Sequence, residues 1–223
     1  MKRFANRNAL VTQAGDFMGP AVCELFAEEG AAVTADESDL TRPQAADDLI
    51  RRAGRVDILV VNLMERNRRH AVVDTGDAEW AAMFDAMVHP LHRLVRAVWP
   101  KMLERRSGKI VVMGSANALR GTPVRAAYSA ARGAQLAYVR NVGIETAGQG
   151  VNVNAIAQNW VSNPTSYSPE IINAADFAER LKAVPAGRVA QGWESAALAL
   201  YLASAESDFV SGQTFAFSGG WAV

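Results

Sequence analysis

Short apolar runs alternate with longer amphipathic stretches along this chain. The runs over Asn8–Thr12, Ala31–Ala35, Val56–Asn62, Lys109–Gly114, Val151–Ala157 and Gln213–Phe217 have the length of strands. Val56–Asn62 is almost continuously β-branched and lacks a polar face, which fits a parallel sheet covered on both sides. Between the runs lie helical patterns. Met18–Glu29 is closed by Gly30, and a short helix opens at Pro43 and runs to about Arg52. Trp80–Glu104 reads as one long helix bent near Pro90, where a backbone donor is missing. Ala126–Ala147, Ala174–Val184 and Trp193–Ala203 complete the set, and 158–169 reads as a loop rich in Asn, Ser and Pro. There is no internal repeat, linker or low-complexity tract. Strand alternating with helix over 1–223 predicts one α/β domain, a doubly wound parallel sheet of six to seven strands with helices on both faces.

Composition narrows the chemistry. Twenty-three basic residues balance 23 acidic ones, so nothing points to nucleic acid or an anionic membrane as partner. No apolar run reaches the length of a membrane span, and Met1-Lys2-Arg3-Phe4 runs straight into a strand, unlike a signal peptide. The single Cys23 excludes an intramolecular disulfide framework and reads as a buried helix residue without chemistry. Three histidines leave little for a metal site. The expectation is a cytoplasmic protein using no metal.

Ligands in doubly wound sheets bind beyond the carboxyl ends of the strands. Ser115 follows one strand, Tyr128 lies thirteen residues later at the start of a long helix, and Arg132 lies one helical turn beyond it. Residues i and i+4 share a helix face, so the phenol and guanidinium can meet in one site. A phenol titrates near pH 10 in water. A fixed cation favours its phenolate, and the Ser115 hydroxyl can hold a substrate oxygen. The set can remove a proton from an alcohol.

This pattern resembles the short-chain dehydrogenase/reductase superfamily, with further landmarks at Asp57-Ile-Leu-Val-Val-Asn62, Val151-Asn-Val-Asn-Ala-Ile156 and Ser211–Trp221. The resemblance covers essentially the whole chain and implies a Rossmann-like fold. The departures are informative. Superfamily dehydrogenases carry lysine where this chain has Arg132, and a Thr-Gly-x-x-x-Gly-x-Gly loop where it has Thr12-Gln-Ala-Gly-Asp-Phe-Met-Gly19. Gln13 and Phe17 replace two of the glycines that let a backbone approach pyrophosphate. About one αβ unit after Asp36 is shortened or missing. Asp36 and Asp39 stand where NAD-binding acids would, and read as turn or capping residues. His89 replaces a helical active-site asparagine and reads as a packing residue beside Pro90.

Taken together, these features resemble the halohydrin dehalogenases, a branch that uses no nicotinamide. The resemblance implies a vicinal haloalcohol or epoxide as substrate, with halide or another small anion as the second ligand. It implies Ser115 and Tyr128 on the hydroxyl, with Arg132 keeping Tyr128 acidic. It implies a halide pocket of Phe17, Gln158, Tyr167 and backbone donors near Asn159 and Trp160, where the old phosphate loop also offers helix N-terminal amides. Leu63, Met64, Asn117 and Arg125 either shape the alcohol pocket or pack loops. The long helices imply a homo-oligomer, as in superfamily tetramers. Trp221 either reaches a neighbouring subunit or seals its own core. The alternative is an NAD(P)-dependent oxidoreductase with a degenerate glycine loop, and a third reading is an inactive scaffold.

Overall fold

A computed structural model describes residues 2–66 and 69–223; Met1, the start of the N-terminal stretch read above, lies outside them. Six strands form one parallel sheet: β1 (Asn8–Thr12), β2 (Ala32–Asp36), β3 (Ile58–Val61), β4 (Gly108–Ser115), β5 (Val151–Gln158) and β6 (Thr214–Phe217), in the order β2-β1-β3-β4-β5-β6. The chain therefore steps from β1 outward to β2, then crosses back to β3 on the other side of β1. That reversal is the switch point at which such sheets bind ligands.

Both faces of the central strands β1, β3, β4 and β5 are buried, which is why β3 and β4 read as nearly unbroken apolar runs. Leu59, Val61, Ile110 and Val112 point to one face, and Ile58, Val60, Val111 and Met113 to the other. The first face packs against α2 (Ala45–Ala53), α3 (Asp77–Met87), α4 (His89–Glu104) and α6 (Ala126–Thr146), numbered here with α5 (Asn117–Arg120) between the last two. The second packs against α1 (Gly19–Glu28) and α9 (Gly192–Ala203). A smaller cluster of Trp160, Phe177 and Val184 lies beyond the sheet, beside α7 (Pro169–Ile172) and α8 (Phe177–Leu181).

Among the described residues the strand count settles at six. In the common doubly wound order a further strand lies outside the second. Here β2 is the edge, and its outer residues Ala32, Thr34 and Ala35 are exposed. The αβ unit that would have covered them is the one the sequence lacks after Asp36. Two helical expectations change. The segment 80–104 is two helices meeting at Val88, because Pro90 is placed in the first turn of a new helix, where its missing donor does no harm. The segment 174–184 holds only α8, and the short α7 precedes it.

Candidate active site

Ser115 ends β4, next to Gln158 at the end of β5, and the two are register partners. Tyr128 sits in the first turn of α6 and Arg132 one turn on, so the helix lays phenol and guanidinium side by side over the strand ends. All three are buried, and Arg132 is 0% exposed. Its Nη1 donates to the Met113 carbonyl at 3.1 Å and to Gln135 Oε1 at 3.0 Å. Its guanidinium carbon lies 5.2 Å from the Tyr128 ring centroid and 5.5 Å from that of Phe17. Its Nε and Nη2 are buried without a hydrogen-bond partner. Among the described residues no carboxylate pairs with this cation. A buried charge left in that state is costly, and a phenolate or a bound anion would satisfy it.

The Tyr128 phenol responds accordingly. Burial pushes its pKa up, but the Arg132 charge, the nearby Ser115 hydroxyl and the Arg125 charge together bring it below the ordinary value of 10.0. The Ser115 hydroxyl also accepts from the Asn117 amide at 3.3 Å. A hydroxyl, an acidified phenol and a fixed cation are thus assembled at the switch-point end of the sheet. Ser115 and Tyr128 open onto a cavity of about 560 Å³, with Arg132 beneath them.

That cavity is lined by Phe17, Gln158, Asn159, Trp160 and Tyr167 as well as by Ser115 and Tyr128. Of the alcohol-pocket candidates, Met64, Asn117 and Arg125 line it. Leu63 does not: it is fully buried in the core against the α2–α4 layer, since alternate residues after β3 turn to opposite sides.

The expected anion donors need correction. The Asn159 amide donates to the Phe217 carbonyl at 3.0 Å, and the Trp160 amide to Asn159 Oδ1 at 2.9 Å. Tyr167 spends its hydroxyl on the same Asn159 oxygen at 2.6 Å, and burial holds its pKa up at about 12. The donors left over are side-chain ones. Gln158 Nε2 and Trp160 Nε1 are buried without a partner, while Gln158 Oε1 accepts from the Ser195 hydroxyl.

The old phosphate loop is likewise closed. The amides of Asp16, Phe17, Met18 and Gly19 each donate within the chain, to Gln13 O, Asp16 Oδ1, Asn62 Oδ1 and Asp16 O. The Thr165 hydroxyl also accepts from Phe17. Gln13 bridges the β1–β3 crevice through two hydrogen bonds to the Met64 backbone, at 2.6 and 3.2 Å. The loop thus offers a pyrophosphate one aromatic ring, one carboxylate and amides already in use. A nicotinamide dinucleotide does not fit these residues. Asp36 accepts from Ser38 and lies 3.5 Å from Arg52, while Asp39 accepts from Thr41, so both acids serve turns.

Other expectations resolve by position. His89 is half-exposed, pairs with Asp85 at 2.9 Å, and lies outside the cavity; its helix-packing role gives way to a surface pair. Trp221 lines its own chain's cavity, packs on the Trp160 cluster, and is held by Arg120, whose Nη1 donates to the Trp221 carbonyl at 2.7 Å. Cys23 is half-buried on α1, and burial raises its pKa, which keeps it a thiol. Among the described residues no group of three His, Cys, Asp or Glu could hold a metal ion, and no helix is long and apolar enough to cross a membrane.

Sequence reasoning missed Asn163 and Thr165. Asn163 Oδ1 accepts from the Thr165 and Ser166 amides, which fixes the loop that presents Thr165 to Phe17. The Asn-Pro-Thr order at 163–165 was the available signal of such a turn. It also missed the backbone at the site. Gln13, Phe17, Val124 and Trp160 all have positive φ, between 43° and 59°. Asn6 and Arg106, before β1 and β4, share this conformation, so it is not confined to the site.

A family model described as enoyl-(acyl carrier protein) reductase matches residues 8–222. The 3-oxoacyl-(acyl-carrier-protein) reductase of Thermotoga maritima is 29% identical over 99% of this chain and all of its own length. That alignment runs over 252 positions against the 223 residues here, so the relative carries positions without a counterpart. A solved structure described as a dehalogenation enzyme superposes with a TM-score of 0.90 at 26% identity, covering 100% of both chains. A gluconate 5-dehydrogenase from Burkholderia cenocepacia, solved in complex with NADP and tartrate, superposes with a TM-score of 0.87 at 29% identity, covering 98% of this chain and 96% of its own.

Proposed function

The chain belongs to the enoyl-(acyl carrier protein) reductase family of the short-chain dehydrogenase/reductase superfamily, and from that premise we propose that it is a halohydrin dehalogenase that works without nicotinamide. One observation carries the reading. The residues that should cradle a dinucleotide are filled and hydrogen-bonded internally, while the Ser115–Tyr128–Arg132 set next to them remains assembled. The likeness to a dehalogenation enzyme over the full length of both chains supports it.

The substrate hydroxyl lies against Ser115 and Tyr128. The Tyr128 phenolate, favoured by Arg132, takes the hydroxyl proton. The resulting alkoxide attacks the adjacent carbon from the side opposite the halogen, a C–O bond forms, and the C–X bond breaks with its electron pair leaving on the halide. Gln158 Nε2 and Trp160 Nε1, unpartnered donors on two residues that line the cavity, would receive that anion. The products are an epoxide, a halide and a proton, and small anions reverse the reaction by opening the epoxide. Much of the acceleration comes from holding the reacting oxygen and carbon in line. Homotetramer assembly through the long α4 and α6 and a cytoplasmic location complete the proposal.

A second reading, an NAD(P)-dependent oxidoreductase, is favoured by the names of most similar proteins, which are reductases and dehydrogenases. Halide release without added nicotinamide separates the two, and the Tyr128→Phe variant tests the base. The proposal expects turnover to fall by about 10²–10⁴-fold with the melting temperature retained. Halide release that survives the substitution removes Tyr128 from the reaction.

A further inference from the structure

The cavity's charge is lopsided. Arg66, Arg69, Arg125 and Arg180 line it, and no Asp, Glu, Lys or His is among its described lining residues. This is not a reflection of overall composition, because the chain as a whole has equal numbers of basic and acidic residues. Nor are the cations neutralised by neighbours. Arg180 approaches Asp176 only at 3.8 Å, with the carboxylate 72% exposed, and such surface pairs contribute little. Arg66, Arg69 and Arg125 form no ion pair among the described residues. Arginines from three separate stretches of the sequence are therefore brought to one opening by topology: two follow β3, one precedes α6, and one lies in α8.

We infer that the rim of this cavity recognises an anionic head group on the substrate, a carboxylate or a phosphate monoester. The guanidinium fork matches both oxyanions, and two or more forks around one opening are the arrangement that planar, bidentate recognition uses. The like charges also press on one another. Burial lowers the Arg125 pKa, and the Arg69 charge lowers it further, with Arg180 adding to the effect; the two tyrosines beside it act the other way. A bound oxyanion relieves that repulsion. Arg132 is not part of this group, since it lies beneath the cavity against Tyr128 and Phe17. The substrate class is then a small vicinal haloalcohol, or its epoxide, carrying a terminal acid. The inference rests on the dehalogenase reading for the reacting end and on the arginines alone for the other.

The test is calorimetric binding to the whole protein, with unreactive probes and no turnover required. 3-Hydroxybutanoate, its neutral amide 3-hydroxybutanamide, and 2-hydroxypropyl phosphate share the hydroxyl and differ in the head group. Binding of at least one acid about tenfold or more tighter than the amide is expected, with the tighter acid identifying carboxylate or phosphate as the source. In Arg180→Gln that preference should shrink severalfold because the acid weakens while the amide's Kd holds. Equal Kd values for acid and amide in the unaltered protein overturn the inference, as does an equal weakening of both in Arg180→Gln. Halide release from neutral 1,3-dichloro-2-propanol keeps the two claims apart. Release without acid preference overturns only the anion assignment. Acid preference in a protein that releases no halide from this alcohol or from 4-chloro-3-hydroxybutanoate overturns only the dehalogenase reading.

Discussion

Arg132 does two things that a lysine would do less well. Its planar cation lies between the Phe17 and Tyr128 rings, and one of its nitrogens reaches both Met113 O and Gln135. A guanidinium in general keeps its charge on burial, whereas an ammonium readily loses its proton there. Arg132→Lys is therefore expected to raise the apparent pKa on the acidic limb of the kcat/KM profile, moving it back toward the ordinary phenol value. A stopped pH series of halide release measures it, and an unchanged profile would make Arg132 a packing residue. Trp160→Phe removes the unpartnered indole N–H, together with part of the ring, from a residue of the cavity wall. Chloride inhibition should weaken by about three- to tenfold, the range of one net hydrogen bond, with the alcohol KM little changed. At this scale the sequence was most informative where chemistry demands a residue type. Ser115, Tyr128 and Arg132 were legible from spacing. The engaged amides at Asn159 and Trp160 were not, because the partner of a backbone N–H depends on a loop path that side-chain identity does not encode.

Elements follow the same division. All six strands were readable within two residues of their ends; β3 and β4 were plainest, since a strand covered on both faces is apolar at nearly every position. The break at Val88 and the short α5 and α7 were not, because pieces of about one turn carry too little periodicity to register. What holds the strands in place is partly polar. Asp57, at the entry to β3, accepts from the Asn8 amide at 3.0 Å, from Asn8 Nδ2 at 3.2 Å and from Arg55 Nε at 2.9 Å, tying β3 to the start of β1. Burial alone would raise its pKa, but the Asn8 amide and Arg55 outweigh that and hold the carboxyl below the ordinary 3.8. A depressed folded-state pKa gives stability that is complete above the unfolded value and lost as pH falls through the folded one. Stability should therefore decline below about pH 4. Asp57→Ala should lose about 1–3 kcal/mol at neutral pH and show a smaller acid decline. Urea melts at pH 7 and pH 3 check both, and a wild-type acid slope retained in the variant would place the acid sensitivity elsewhere.

At the scale of the whole molecule, the lost unit beyond β2 and the closed loop at Phe17 change the same end of the sheet. One removes the flank of an adenosine site, and the other fills the pyrophosphate site. Both were visible in the sequence as departures from a family pattern. The arginine rim was not, since Arg66, Arg69, Arg125 and Arg180 share no motif and meet only after folding. The chain keeps the superfamily's scaffold while the ground for its usual cofactor is taken up by its own side chains. The most direct measurement is chloride and proton release from 1,3-dichloro-2-propanol at about pH 8, with purified protein and no nicotinamide added. The account predicts chloride and acid in equal amounts, with no dependence on added NAD or NADP. No chloride release, together with saturable binding of NADP, would contradict it.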